Sequence, residues 1–126
     1  MAKKLKIMNS RIVLLMIILG LFLVSCSYEK EYKEYRINDL SKPISDTLAF
    51  SKEGNIIGVE MSITGYVKGK ATLEFENGAG RFEKIDLENV INQTYETEWY
   101  EPKLFFRYIP NGNINGDSLI IKYRMF

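Results

Sequence analysis

The sequence predicts an all-β protein: a small antiparallel β-sandwich, immunoglobulin-like or jelly-roll-like, of about seven short strands, with a small β-barrel as the alternative. Three observations predict it. Apolar residues beyond Pro43 recur at every second position, Gly and Asn clusters separate such runs at roughly 8–12-residue intervals, and no stretch after Cys26 carries apolar residues at a sustained helical period.

The chain opens differently. Lys3, Lys4, Lys6 and Arg11 precede an apolar run from Ile12 to Val24, which closes on Leu23-Val24-Ser25-Cys26. As a helix these 13 residues would rise about 20 Å, short of the ~30 Å hydrocarbon layer, so the run suits a cleavable signal segment better than a permanent span. The segment resembles the type II signal peptides of bacterial lipoproteins, whose lipobox has Leu, then a small or β-branched residue, then Gly, Ala or Ser, then Cys. Leu23, Val24, Ser25 and Cys26 match all four positions. The resemblance implies a diacylglyceryl group on the Cys26 thiol, cleavage before Cys26, and acylation, with palmitate as a typical chain, of the new amino terminus. It also implies a membrane partner through that lipid, and Ser27 after the Cys implies the outer membrane rather than the inner. Acyl chains contribute about 0.8 kcal/mol per buried methylene, so three make such an anchor effectively permanent.

Residues 1–25 therefore read as signal peptide and 26–42 as a lipid-anchored tether. Tyr28 to Lys42 is strongly charged, offers no apolar stripe and ends in Ser41-Lys42-Pro43, the composition of a solvated linker. The folded domain is expected over 43–126.

Its first strand is expected over Ile44 to Phe50. Ile57, Val59, Met61 and Ile63 then alternate with Gly58, Glu60, Ser62 and Thr64, the period of a half-buried strand. Val67-Lys68-Gly69-Lys70 offers a turn, and Ala71, Leu73 and Phe75 resume the alternation as the second arm of a hairpin. Asn77-Gly78-Ala79-Gly80 is the next reversal, since Asn and Gly tolerate positive φ. Strands are expected through Phe82, Ile85 and Leu87, more weakly from Val90 to Thr97, from Lys103 to Ile109 with Pro110 as its end, and from Ser118 to Phe126.

Charge and composition exclude several functions. Four of the 17 basic residues lie before the apolar run, leaving 13 against 16 acidic ones, a balance of about −3 that argues against a nucleic-acid footprint. One Cys and no His exclude an internal disulfide, a Cys-based zinc site and the commonest general base. No cofactor is expected.

Two constellations bear on binding. Glu96, Glu98, Trp99, Tyr100 and Glu101 form the densest acidic-aromatic cluster and read as a candidate ligand surface. Asn111, Asn113, Asn115 and Asp117 place oxygen side chains at alternate positions, as in the first half of a calcium loop, but Asn stands for the leading Asp and Lys122 for the closing Glu. A structural hairpin turn is the expectation there, and no metal.

The sequence thus points to a lipid-anchored cell-envelope protein whose sandwich binds an envelope protein or glycan without catalysis, an immunity or inhibitor lipoprotein being one form of it. The competing class is a carboxylate-dependent glycan-acting enzyme using residues such as Glu98 and Glu101.

Overall fold

The computed structural model describes residues 31–126, and Tyr32–Phe126 form one unit. The lipobox residues Leu23, Val24, Ser25 and Cys26 lie outside the described residues. The described chain is all-β and antiparallel, with six strands: β1 (Lys33–Ile37), β2 (Ile44–Ala49), β3 (Gly58–Glu76), β4 (Phe82–Glu98), β5 (Lys103–Gly116) and β6 (Leu119–Met125).

The organising element is the β3–β4 hairpin, which pairs from Gly58↔Glu98 to Glu76↔Phe82. On its other edge β3 pairs with β6 over Val59 to Thr64 and with β5 over Val67 to Phe75. β1 extends the β6 side and β2 the β5 side. One sheet therefore forks into two layers, β1-β6-β3-β4 and β2-β5-β3-β4, joined by the same bent hairpin. The bend falls where the register shifts between Val67 and Lys70, at Gly65 and Gly69 with positive φ and opposite Asn89, also at positive φ.

The layers close on each other. Val59, Ile63, Leu73, Phe75, Leu104, Phe106, Leu119 and Ile121 are fully buried between them. Phe75 stacks on Tyr95 at 5.9 Å, and Tyr35 of β1 meets Phe106 of β5 edge-on at 4.9 Å. Alternation explains this: in β3 the odd positions 59, 61 and 63, and again 71, 73 and 75, send apolar side chains inward. The curl stops short of hydrogen-bonded closure, because β1 and β2 meet only through side chains, with the Tyr35 hydroxyl donating to Asp46.

Four expectations need correction. Val67-Lys68-Gly69-Lys70 is a bulge within one 19-residue strand and not a hairpin turn. Phe82–Leu87 and Val90–Thr97 are likewise one strand. Pro110 does not end β5, which runs on to Gly116; β2 covers only Lys103 to Tyr108, so at Pro110 the outer edge of β5 is open and a missing N–H is tolerated. Finally, the fold begins before residue 43: β1 pairs with β6, and Ile37 and Leu40 are buried. Tyr35 and Ile37 supply its inward face, which is too short an alternation to stand out in Lys33-Glu34-Tyr35-Arg36-Ile37.

Candidate functional site

The loops Phe50–Ile57 and Trp99–Pro102 lie together at one end of the sandwich, tied by the Phe50 amide donating to the Pro102 carbonyl at 2.9 Å. Trp99 is the anchor of the second loop. Its indole N–H donates to the Lys103 carbonyl at 3.2 Å, its amide donates to the Ile57 carbonyl at 3.2 Å, and it is only 6% exposed. Trp99 is thus a core residue that shapes the loop, which corrects its assignment to a ligand surface. With Trp99 turned inward, Tyr100 turns outward and is 67% exposed.

Two depressions adjoin Tyr100. One, of about 700 Å³, is lined by Ile57, Gly58, Glu96, Thr97, Glu98, Tyr100 and Phe126. The Tyr100 hydroxyl donates to Glu98 at 3.2 Å, and that bond to a carboxylate, with its charge, raises the Tyr100 pKa above the ordinary phenol value. Phe126 is held by its amide, which donates to the Gly58 carbonyl, and by the Ile57 and Gly58 amides, which donate to its oxygen. Its ring fills the space beside Gly58, where a Cβ would come within 2.6 Å of it. Of the acidic-aromatic cluster, the structure therefore brings together Glu96, Glu98 and Tyr100; Glu101 is exposed and lines neither depression.

The second depression, an open groove of about 520 Å³, is lined by Lys33, Ala49, Phe50, Ser51, Lys52, Gly54, Asn55, Ile56, Tyr100, Pro102 and Lys103. The Lys33 ammonium stands 5.7 Å from the centroid of the Phe50 ring, and Lys52 Nζ donates to the Asn55 carbonyl at 3.4 Å. Phe50 in turn meets Tyr123 edge-on at 6.3 Å, while the Tyr123 hydroxyl donates to the Ala49 carbonyl at 2.7 Å. The floor of the groove is therefore fixed to the core. Sequence reasoning missed these lysines, which come from three separate segments and share no motif.

Further along the outer face, Glu60 accepts from Arg124 Nε at 2.8 Å and from the Tyr32 hydroxyl, and Lys122 lies 5.3 Å over the Tyr32 ring. These contacts border a smaller depression of about 200 Å³, lined by Tyr32, Glu60, Met61, Ser62, Thr94, Tyr95 and Glu96.

Asn111 and Asn115 are not in a turn. They lie in β5 opposite Lys70 and Lys68, with Gly112, Asn113 and Ile114 bulging out between them where Ile114 buries itself. A paired strand spreads Asn111, Asn113 and Asn115 along its length instead of wrapping them around a point, Asp117 lies beyond the strand's end, and Lys70 and Lys68 are the register partners of Asn111 and Asn115. The hairpin turn expected over 111–117 is thereby corrected to a bulged strand end.

No protein-family model matches the chain, and no curated protein matches it. Among solved structures, it is similar to the crystal structure of PirA, at 15% identity and TM-score 0.44, over 78% of this chain and 98% of that one. It is also similar to the solution NMR structure of a de novo designed double-stranded β-helix, at 15% identity and TM-score 0.36, over 77% and 100% of the two chains. A structure described as "CBM4 structure and function" follows at 7% identity and TM-score 0.33, over 74% and 68%. Likenesses of this size assign neither a family nor a site.

Proposed function

We propose that this is a lipid-anchored protein of the cell envelope whose β-domain is a non-enzymatic binding module, with the loop end around Tyr100 as its contact surface. The observation that carries the binding reading is the pair of adjoining depressions that share an aromatic ring 67% exposed on a loop pinned to the core by Trp99. Loops held on a rigid sandwich are where such domains make their contacts. A ring so exposed does little for folding and offers apolar area at little entropic cost. Glu96 and Glu98 stand two residues apart on one face of one strand, open to water. There they line the depression beside Tyr100 as polar contacts.

The anchor rests on the match of Leu23, Val24, Ser25 and Cys26 to a lipobox. Lipid on Cys26 would fix the domain to the outer membrane, facing envelope proteins and glycans.

Two measurements test the proposal. Intact mass of the native product reads the anchor: three acyl chains on a chain starting at Cys26 support it, and a free thiol with residues 1–25 retained refutes it. Capture from the solubilised native envelope reads the binding role: a stoichiometric protein or glycan retained by the wild type and lost on Tyr100→Ala supports it. Equal retention by both proteins overturns the assignment of the surface.

A further inference from the structure

The groove between the two loops differs in charge from the rest of the domain. Lys33, Lys52 and Lys103 reach it from β1, the β2–β3 loop and the start of β5, and no Asp or Glu lines it. Among the described residues none of the three is ion-paired with a carboxylate, a state they share with Arg36, Lys68, Lys70, Arg81 and Lys122; what sets them apart is that all three line one groove. Three like charges around one groove repel one another, and a domain with an acidic excess has carboxylates to spare for neutralising them. An anion in the groove would offset that repulsion.

The other walls define the anion further. Tyr100 presents an exposed ring at the rim, Phe50 and Ile56 form a half-buried apolar floor, and Ser51 and Asn55 add polar groups. At about 520 Å³ the groove falls within the size range of small-ligand sites. An inorganic ion would use the lysines and waste the rings. A sugar presents an apolar ring face that stacks on an aromatic and hydroxyls that suit Ser and Asn, so a sugar bearing acid groups uses every wall.

We propose that this groove binds an anionic glycan, one whose sugar rings carry carboxylate or phosphate groups. The lysines hold the acid groups and Tyr100 stacks on a ring. This deepens the binding-module reading and rests on it.

The test uses the mature lipidated protein in neutral detergent, titrated calorimetrically with a polygalacturonate oligomer, with a phosphomannan oligomer, and with the polygalacturonate oligomer after methyl esterification. Saturable binding of either acidic oligomer is expected, weakened by salt and at least about tenfold tighter than binding of the ester. Lys33→Gln, Lys52→Gln and Lys103→Gln together should cost at least about tenfold in affinity. All three lysines are exposed, so the far-ultraviolet circular dichroism should stay unchanged.

Failure of both acidic oligomers to bind, an ester that binds as well as the acid, or a triple variant with undiminished affinity each overturns the inference. Binding only to phosphatidylglycerol vesicles, against phosphatidylcholine controls, overturns it in favour of a membrane surface. Tyr100-dependent binding of the ester alone refutes the anion while leaving the binding-module reading standing; loss of that reading is scored separately by the envelope capture.

Discussion

The hydroxyl of Tyr108, a fully buried residue of β5, donates to the carbonyl oxygen of Leu40 at 2.8 Å across 68 positions of sequence. Together with the buried Leu40 side chain, this bond fastens the segment between β1 and β2 to the sheet. Tyr108→Phe keeps the ring and removes the donor, leaving a carbonyl of a 3% exposed residue unpaired. A loss of about 1–3 kcal/mol is expected, read from urea unfolding with an unchanged m-value.

Of the six described tyrosines whose pKa is raised, Tyr35 and Tyr108 are shifted furthest and contribute most to alkaline unfolding. Burial first, then the hydrogen bond to Asp46, pushes Tyr35 up to about 12; burial first, then the Asp39 charge, does the same to Tyr108. An unfolded chain releases these protons near pH 10 while the folded one keeps them, so folding stability is complete below about pH 10 and falls as pH rises towards 12. Replacing both with Phe should flatten that slope, as measured by denaturant unfolding at about pH 9 and about pH 11. An unaltered slope would place its origin elsewhere.

Asp46 contributes to the opposite limb. Its carboxylate is held below the ordinary value by the Tyr35 hydroxyl first and by the Thr47 amide second. The contribution is present above about pH 4 and is lost as pH falls through the lowered folded-state value. Asp46→Asn should lessen the acid sensitivity of the unfolding midpoint while lowering stability at neutral pH.

Gly116 is pressed against β3, with φ at 152° and room so small that a Cβ would lie 2.2 Å from the Tyr66 carbonyl oxygen. Backbone cannot swing aside as a side-chain tip does. Gly116→Ala should cost about 2–4 kcal/mol or prevent folding, whereas Gly112→Ala, with open space around it, should cost only the strain of its positive φ, about 1 kcal/mol. Thermal melts of the two variants give the comparison.

Glu74 is 5% exposed, with Arg107 Nη2 at 2.6 Å and Lys84 Nζ at 3.6 Å. The Arg107 guanidinium also lies 4.2 Å from the centroid of the Phe82 ring. Arg107→Met leaves the buried carboxylate to a largely exposed lysine and should destabilise by about 2 kcal/mol. Adding Glu74→Leu should restore most of that loss, because a buried pair is replaced by apolar area. A double-mutant cycle showing simple additivity would refute the coupling.

The strands that read clearly in the sequence are those whose inward residues alternate without interruption, as at Val59, Met61 and Ile63, or Leu119, Ile121 and Tyr123. What misled was turn chemistry. Lys68-Gly69-Lys70 and Asn111-Gly112 have the residues of tight reversals, yet both sit where β3 and β5 bulge against each other, and only the long-range pairing decides between a reversal and a bulge. β1 was hidden for a different reason: an edge strand with two inward side chains is stabilised by its partner β6 and not by its own composition. At the site, Tyr100 and Glu98 were legible because they are neighbours in sequence, while Lys33, Lys52 and Lys103 become neighbours only through folding.

The β3–β4 ribbon belongs to both layers at once, forming a common spine. Loosening either leaf frays strands on which the other leans, so neither half is left to stand by itself. Heat and denaturant should therefore meet a single cooperative body, melting in one transition whichever side is probed.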